Sequence, residues 1–149
     1  MPEQMPDLDD LTTAIEDFTT IFIRLPAVRR FNFSTLGVLH TLGRRGPLRL
    51  TDLTATEQLK QPALTSLVAK LERDGLVTRS PDPTDGRAVL LSLTAEGEEI
   101  VRSRRISRVE RLAELVDQLS DEERALLADS VHVLKRLTEI ADDDPVRTR

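Results

Sequence analysis

Apolar residues between positions 8 and 29 recur in steps of three and four: Leu8, Leu11, Ile15, Phe18, Phe22 and Leu25. That spacing predicts a helix with one apolar stripe, and its near-heptad rhythm suits packing against another helix or a partner chain. Pro26 should kink or end it. Ser34 reads as the N-cap of a second helix, carried by Leu36, Leu39 and Leu42 and stopped by Gly43 and the Gly46-Pro47 pair. Leu48-Arg49-Leu50 alternates and predicts a short strand. Thr51 is the expected cap of a third, short helix through about Glu57. Pro62 sits well in the first turn of a fourth, because its missing N–H would be unpaired there anyway. The fourth helix should run to about Asp74 and stop at Gly75.

Two β-type stretches follow, Leu76 to Ser80 and Ala88 to Leu93, separated by the turn formers of Pro81-Asp82-Pro83-Thr84-Asp85-Gly86-Arg87. They predict a hairpin with a long tip. Thr94 caps a fifth helix over about 95–117, and Ser120 with Glu123 forms a capping box that opens a sixth. Leu127, Val131, Leu134 and Leu137 share one face of that last helix, and the tail from Asp142 should fray. The expected fold class is mainly α with a small β hairpin wing. Two short helices joined by a tight turn and followed by a hairpin make a winged helix-turn-helix, whose second helix enters the major groove.

On the fourth helix, Leu64, Leu67, Val68 and Leu71 must face the core. The opposite side carries Pro62, Ser66, Ala69 and Arg73, flanked by Ala63, Thr65 and Lys70, with no bulky apolar residue. Small residues allow close approach to base edges, where the hydroxyls of Thr65 and Ser66 can donate or accept and Gln61 can grip adenine. Lys70 and Arg73 lie further along, where phosphates are the natural partners. An ordinary amphipathic surface helix would show the same polar face, and the hairpin decides between the two readings. Its tip presents Arg87 as a minor-groove probe, which Asp85 would steady through a charge-assisted hydrogen bond. Asp82 and Gly86 read as residues of a solvated turn.

Charge sharpens this picture. The chain of 149 residues carries −5 overall, but residues 1–23 hold −6, residues 24–91 hold +5 and residues 92–149 hold −4. A basic middle between acidic ends fits a local nucleic-acid surface better than non-specific binding by the whole chain. Cysteine is absent, which excludes disulfides, thiolate metal sites and cysteine-based redox sensing. No run of eighteen apolar residues and no basic-then-apolar leader is present, so the expectation is a cytoplasmic protein without a signal peptide or membrane span. His40 and His132 read as buried or boundary histidines. No pair of His four apart exists for a helical zinc site, and Gly43-Arg44-Arg45-Gly46-Pro47 lacks the lysine of a phosphate loop. No nucleophile stands with a His and an acid, so the chain is not read as an enzyme and no cofactor is expected. Arg102, Arg104, Arg105, Arg108 and Arg111 alternate with Glu98, Glu99, Glu110 and Glu114, a pattern of i,i+4 pairs on a solvated face. One of these arginines, with none preferred, could instead hold an anion.

Three stretches resemble the MarR (multiple antibiotic resistance regulator) family: Leu71-Glu72-Arg73-Asp74-Gly75-Leu76-Val77-Thr78-Arg79, Asp82-Pro83-Thr84-Asp85-Gly86-Arg87 and Leu91-Ser92-Leu93-Thr94-Ala95-Glu96-Gly97. The resemblance implies a homodimer built by the first, fifth and sixth helices, and wings carrying Asp85 and Arg87 at the DNA. It also implies a cleft between dimer region and DNA-binding lobe, where many relatives accept small, often aromatic, acidic ligands. Residues 1–33 and 95–149 would then form the dimerisation region and 34–94 the DNA-binding lobe. The expected DNA-binding set is Gln61, Pro62, Ala63, Thr65, Ser66, Lys70, Arg73, Asp85 and Arg87. Ser66 departs from the family, which often carries Arg at that position, and the lack of Cys excludes the family's peroxide-sensing mode. The expected function is a repressor that binds double-stranded DNA at an inverted repeat, with a small-molecule effector as further partner. The competing class is a dimeric protein-interaction module on the same fold with weak or no DNA binding. It would show a broken positive surface where Lys70, Arg73, Arg79 and Arg87 should join.

Overall fold

The computed structural model describes residues 5–25 and 31–143. Its order is α1 (Leu8–Ile23), α2 (Phe33–Arg45), β1 (Leu48–Arg49), α3 (Leu50–Glu57), α4 (Gln61–Arg73), β2 (Val77–Pro81), β3 (Val89–Leu93), α5 (Ala95–Val116) and α6 (Asp121–Asp142). This is the expected helix and hairpin order, mainly helical with one small antiparallel sheet. The sheet runs β1-β3-β2, with Leu48 opposite Leu91 and Val77 opposite Leu93.

The caps explain where the boundaries fall. Asn32, not Ser34, caps α2: its side chain accepts the Thr35 N–H at 2.9 Å. The true cap lies two residues earlier, so Ser34 is already helical. Leu50 belongs to α3 rather than to a strand, and Arg49, not Thr51, is its N-cap residue, with the Asp52 carboxylate accepting the Arg49 N–H at 3.1 Å. The α1 helix stops at Ile23, short of the expected 29, and Pro26 lies outside the described residues. Pro62 sits in the first turn of α4 as expected. Gly75 ends α4 at φ +73°, with Leu76 N–H bonded to Leu71 C=O and Gly75 N–H to Glu72 C=O. This paired closure needs a left-handed residue, which glycine adopts without a Cβ penalty. The strands and α5 lie within one residue of expectation, and the Ser120–Glu123 capping box forms in both directions. Asp142 is the last residue of α6 and pairs with Arg44 at 3.2 Å rather than fraying; the tail from 144 lies outside the described residues.

The buried core consists of Val38, Leu39, Leu42, Leu53, Leu64, Val68, Leu71, Leu76, Val77 and Leu91. All ten fall between α2 and β3. Helices α1 and α6 bury no residue, and α5 buries only Gly97. Their apolar stripes stay open instead, with Ile15, Phe18, Leu126, Val131 and Leu134 all exposed. Contiguous apolar surface of this kind marks an interaction surface rather than a solvated face.

Candidate nucleic-acid interface and adjoining cleft

The helix-turn-helix is α3 and α4, joined by Gln58-Leu59-Lys60. Gln58 takes a left-handed φ of 53°, which reverses the chain between the two helices. Leu64, Val68 and Leu71 bury one face of α4, and Leu67 packs against the same core. Burial on that side leaves Gln61, Pro62, Ala63, Thr65, Ser66, Lys70 and Arg73 exposed, as the spacing predicts. Ala69 is half-buried. Lys70 and Arg73 hold no ion pair among the described residues, so both are available to phosphate. Arg79 is not: its Nε donates to Glu72 Oε2 at 2.9 Å, which neutralises one of the four cations expected on this surface.

The wing is built differently from the sequence reading. Asp85 does not hold the Arg87 guanidinium; its Oδ1 accepts the Arg87 backbone N–H at 3.1 Å. An Asx-type turn satisfies the carboxylate locally and leaves the Arg87 side chain exposed and unpaired among the described residues. Asp82 is not part of a solvated turn. It is buried, and its Oδ1 accepts both the backbone N–H and the hydroxyl of Thr84, at 2.9 and 2.8 Å. Its Oδ2 accepts Arg49 Nε and Nη2 at 2.9 and 2.5 Å. Arg49, unmarked by any local pattern, therefore ties the wing tip to the start of α3.

The Thr84 backbone and hydroxyl bonds, then the Arg49 bonds, draw the Asp82 carboxyl down to about 2 from an ordinary 3.8. A depressed carboxylate contributes stability that is complete above its unfolded value and lost as pH falls through its folded value. The wing anchor is thus whole at neutral pH and fails between about pH 4 and pH 2. Asp82→Asn should reproduce that failure at neutral pH. Amide exchange at Thr84, Asp85 and Ala88 should quicken while exchange at Leu64 and Val68 stays slow, and equal protection in both proteins would show that the ion pair does not hold the wing.

Between α1, α2 and α5 lies a cleft of about 440 Å³. Leu36, Leu39, Ile100, Val101, Val109 and Leu112 form its apolar wall, and Phe22 adds a ring. His40, Arg44, Arg104, Arg105 and Arg108 also line it, with no carboxylate among the lining residues. Two of these arginines close the end of α1: Arg104 Nη2 donates to Ile23 C=O at 3.3 Å and Arg108 Nε to Leu25 C=O at 2.9 Å. Cations suit a helix C-terminus, and α1 has no basic residue in its own last turn. The Arg108 guanidinium also sits 5.1 Å from the Phe22 ring centre. Arg104 Nε is buried with no hydrogen-bond partner. The expected i,i+4 pairing on α5 is corrected accordingly: Arg102–Glu99 and Arg111–Glu114 pair at i,i+3, while Arg104 and Arg108 turn to α1 and the cleft. Their four-residue spacing beside Ile100, Val101 and Leu112 was the available signal.

His132 is exposed, while His40 stands at a boundary, solvent-accessible but with its imidazole partly buried against the cleft. Partial burial of the imidazole, then Arg108, Arg44 and Arg104, lower the His40 pKa below its usual value, so it is neutral at pH 7. Burial likewise lowers Arg104 and Arg108. Positive charge from Arg104, Arg105 and Arg108 thus gathers on one side of an apolar cleft, while Arg44 is paired with Asp142.

The MarR family model matches residues 32–89, which run from the cap of α2 to the first residue of β3. An HTH-type transcriptional regulator of Mycobacterium bovis is 32% identical over 139 residues, covering 89% of this chain and 97% of the relative. Among solved structures, RV1404 from Mycobacterium tuberculosis superposes with a TM-score of 0.76 at 25% identity, over 94% of this chain and 97% of that one. NadR in complex with 4-hydroxyphenylacetate superposes with a TM-score of 0.63 at 28% identity, over 97% and 100% of the two chains. Matching helix-turn-helix, wing and flanking helices over nearly the whole length, the chain belongs to the MarR family and is a winged helix-turn-helix, DNA-binding transcription regulator.

Proposed function

We propose that this regulator works as a homodimeric repressor on an inverted-repeat operator, released when a small aromatic anion enters the cleft beside α5. The observation that carries the DNA half is the exposed outer face of α4, with small residues at its start and two unpaired cations at its end. Gln61, Pro62, Ala63, Thr65 and Ser66 approach base edges, Lys70 and Arg73 meet phosphates, and Arg87 extends the contact through the wing. Asp85 acts on the wing backbone. The open stripes of α1 and α6 support dimerisation through residues 1–33 and 95–149, with residues 34–94 as the DNA-binding lobe. Two-fold symmetry then sets half-sites about one helical turn apart. No helix among the described residues is long and apolar enough to cross a membrane, in keeping with work on cytoplasmic DNA.

The effector half rests on Arg104. A buried donor without a partner favours any acceptor that reaches it. An aromatic carboxylate would stack on Phe22 and the aliphatic wall and give its oxygens to the arginines. NadR holds 4-hydroxyphenylacetate in its crystal structure, which makes that compound a fitting first probe. Such a ligand releases DNA only by favouring one spacing of the two lobes over the other.

The test is selection of random duplexes by the purified protein at two salt concentrations. An enriched inverted repeat whose affinity falls steeply with salt is expected, because each Lys and Arg contact releases counterions. No enrichment at either salt would refute operator recognition. For the cleft, titration calorimetry with 4-hydroxyphenylacetate should detect binding that Arg104→Met weakens about tenfold to a hundredfold, the usual worth of a charge-assisted contact. Equal binding by both proteins would place the ligand elsewhere.

A further inference from the structure

From the local geometry of α4, we infer that Thr65 is a specificity-determining residue that reads a thymine in each half-site through its methyl group. The inference rests on α4 entering the major groove. Thr65 is exposed on the outer face, one turn from the helix start. Its hydroxyl is turned back along the helix and donates to the Gln61 carbonyl at 2.8 Å. The donor that a base acceptor would need is therefore engaged within the protein. What Thr65 offers outward is its γ-methyl.

The neighbouring groups reinforce this. Ala63 adds a second exposed methyl, and Ala69 a third, half-buried. No Arg or Asn stands on the outer face ahead of Lys70, so the long side chains that grip guanine or adenine in two places are missing from its middle. Ser66 keeps a hydroxyl with no intramolecular partner among the described residues, but it is short. The centre of this face is thus a small, methyl-rich surface. The matching feature in a major groove is the C5-methyl of thymine, the one apolar group that a base pair presents there.

Deoxyuridine isolates that group, since it pairs as thymine does and lacks only the methyl. The experiment takes the selected operator, replaces each thymine in turn with deoxyuridine at both symmetric positions, and measures affinity of the full-length dimer. At one position the wild type should bind about fourfold more weakly per half-site and about 15-fold more weakly for both, the value of one methyl buried per contact. Thr65→Ser, which keeps the hydroxyl and loses the methyl, should bind the thymine and uracil duplexes equally. Thr65→Val, which keeps a methyl and loses the hydroxyl, should restore the preference. A flat uracil scan on an operator that is still bound specifically would overturn the inference and leave operator recognition standing. Retained thymine preference in Thr65→Ser, or its loss in Thr65→Val, would overturn it as well. Failure to enrich any operator would remove both together.

Discussion

Arg87→Ala should cost the operator complex on the order of a hundredfold to a thousandfold in affinity, because a specific Arg–DNA contact contributes about 1–3 kcal/mol and a dimer has two wings. The substitution is unusually clean. The wing backbone is held by Asp82, through Thr84 and Arg49, and by Asp85, through the residue-87 N–H. Alanine retains that N–H, so the turn survives and only the guanidinium is removed. Arg87 lies in the wing and not on the open stripes of α1 and α6, so sedimentation should report the same oligomeric state as the wild type. The salt dependence should also flatten by about two contacts, one from each wing. Arg87→Lys separates charge from shape: it should regain the salt slope but not the full affinity, since a point ammonium does not match a narrow groove as a planar fork does. Unchanged operator affinity in Arg87→Ala would remove the wing from the interface. The remaining contacts would then be those of α4 alone.

The contrast between Arg87 and Arg49 shows what a sequence makes legible. Element order, the buried face of α4 and the exposed recognition face follow from periodicity, because position in a helix fixes direction. Arg87 stands out since it sits in a tip of turn formers. Arg49 does not, because its partner is 33 residues away and its meaning exists only after β1 and the wing come together. Asp85 bonds the backbone of Arg87 and not its guanidinium, because a carboxylate two residues before an arginine reaches the backbone N–H more easily. Ser34 and Thr51 are plausible caps by residue type, but Asn32 and Arg49 occupy the positions that the helix starts require. Arg104 and Arg108 were hidden by abundance. Five arginines among glutamates look like a solvated helix, and only the end of α1 distinguishes the two that turn inward. The exposed stripes of α1 and α6 mark the opposite case, legible as apolar patterns that find no partner among the described residues.

Gly97→Ala should destabilise the folded protein by about 2 kcal/mol, although alanine is the better helix former by about 1 kcal/mol. The reason is where α5 begins. A Cβ at Gly97 would lie well inside contact distance of the Leu76 carbonyl oxygen, and 3.3 Å from Leu93 Cδ2. That carbonyl cannot retreat easily, because it accepts the Thr94 N–H at 3.1 Å. Thr94 is fixed in turn: its hydroxyl donates to Gly75 C=O at 2.6 Å and accepts the Gly97 N–H at 3.1 Å. The end of α4, the first residues of the wing and the start of α5 therefore meet in one hydrogen-bonded joint that closes only over a hydrogen atom. Gly43→Ala is the matched control. Its Cβ would stand 3.3 Å from Val101 Cγ1 and 3.5 Å from Leu93 Cδ1, side-chain methyls that need give only a few tenths of an ångström and not a hydrogen-bonded carbonyl, so the gain in helix propensity should largely offset the contact. Thermal melts should show Gly97→Ala lowered by about 5–10 °C and Gly43→Ala nearly unchanged. The same joint lies one turn before Ile100 and Val101, which line the cleft. A shift of α5 at the cleft would therefore reach the base of the wing through this joint. A Gly97→Ala protein that melts like the wild type would mean that the joint yields, and a yielding joint would not carry a signal from cleft to wing.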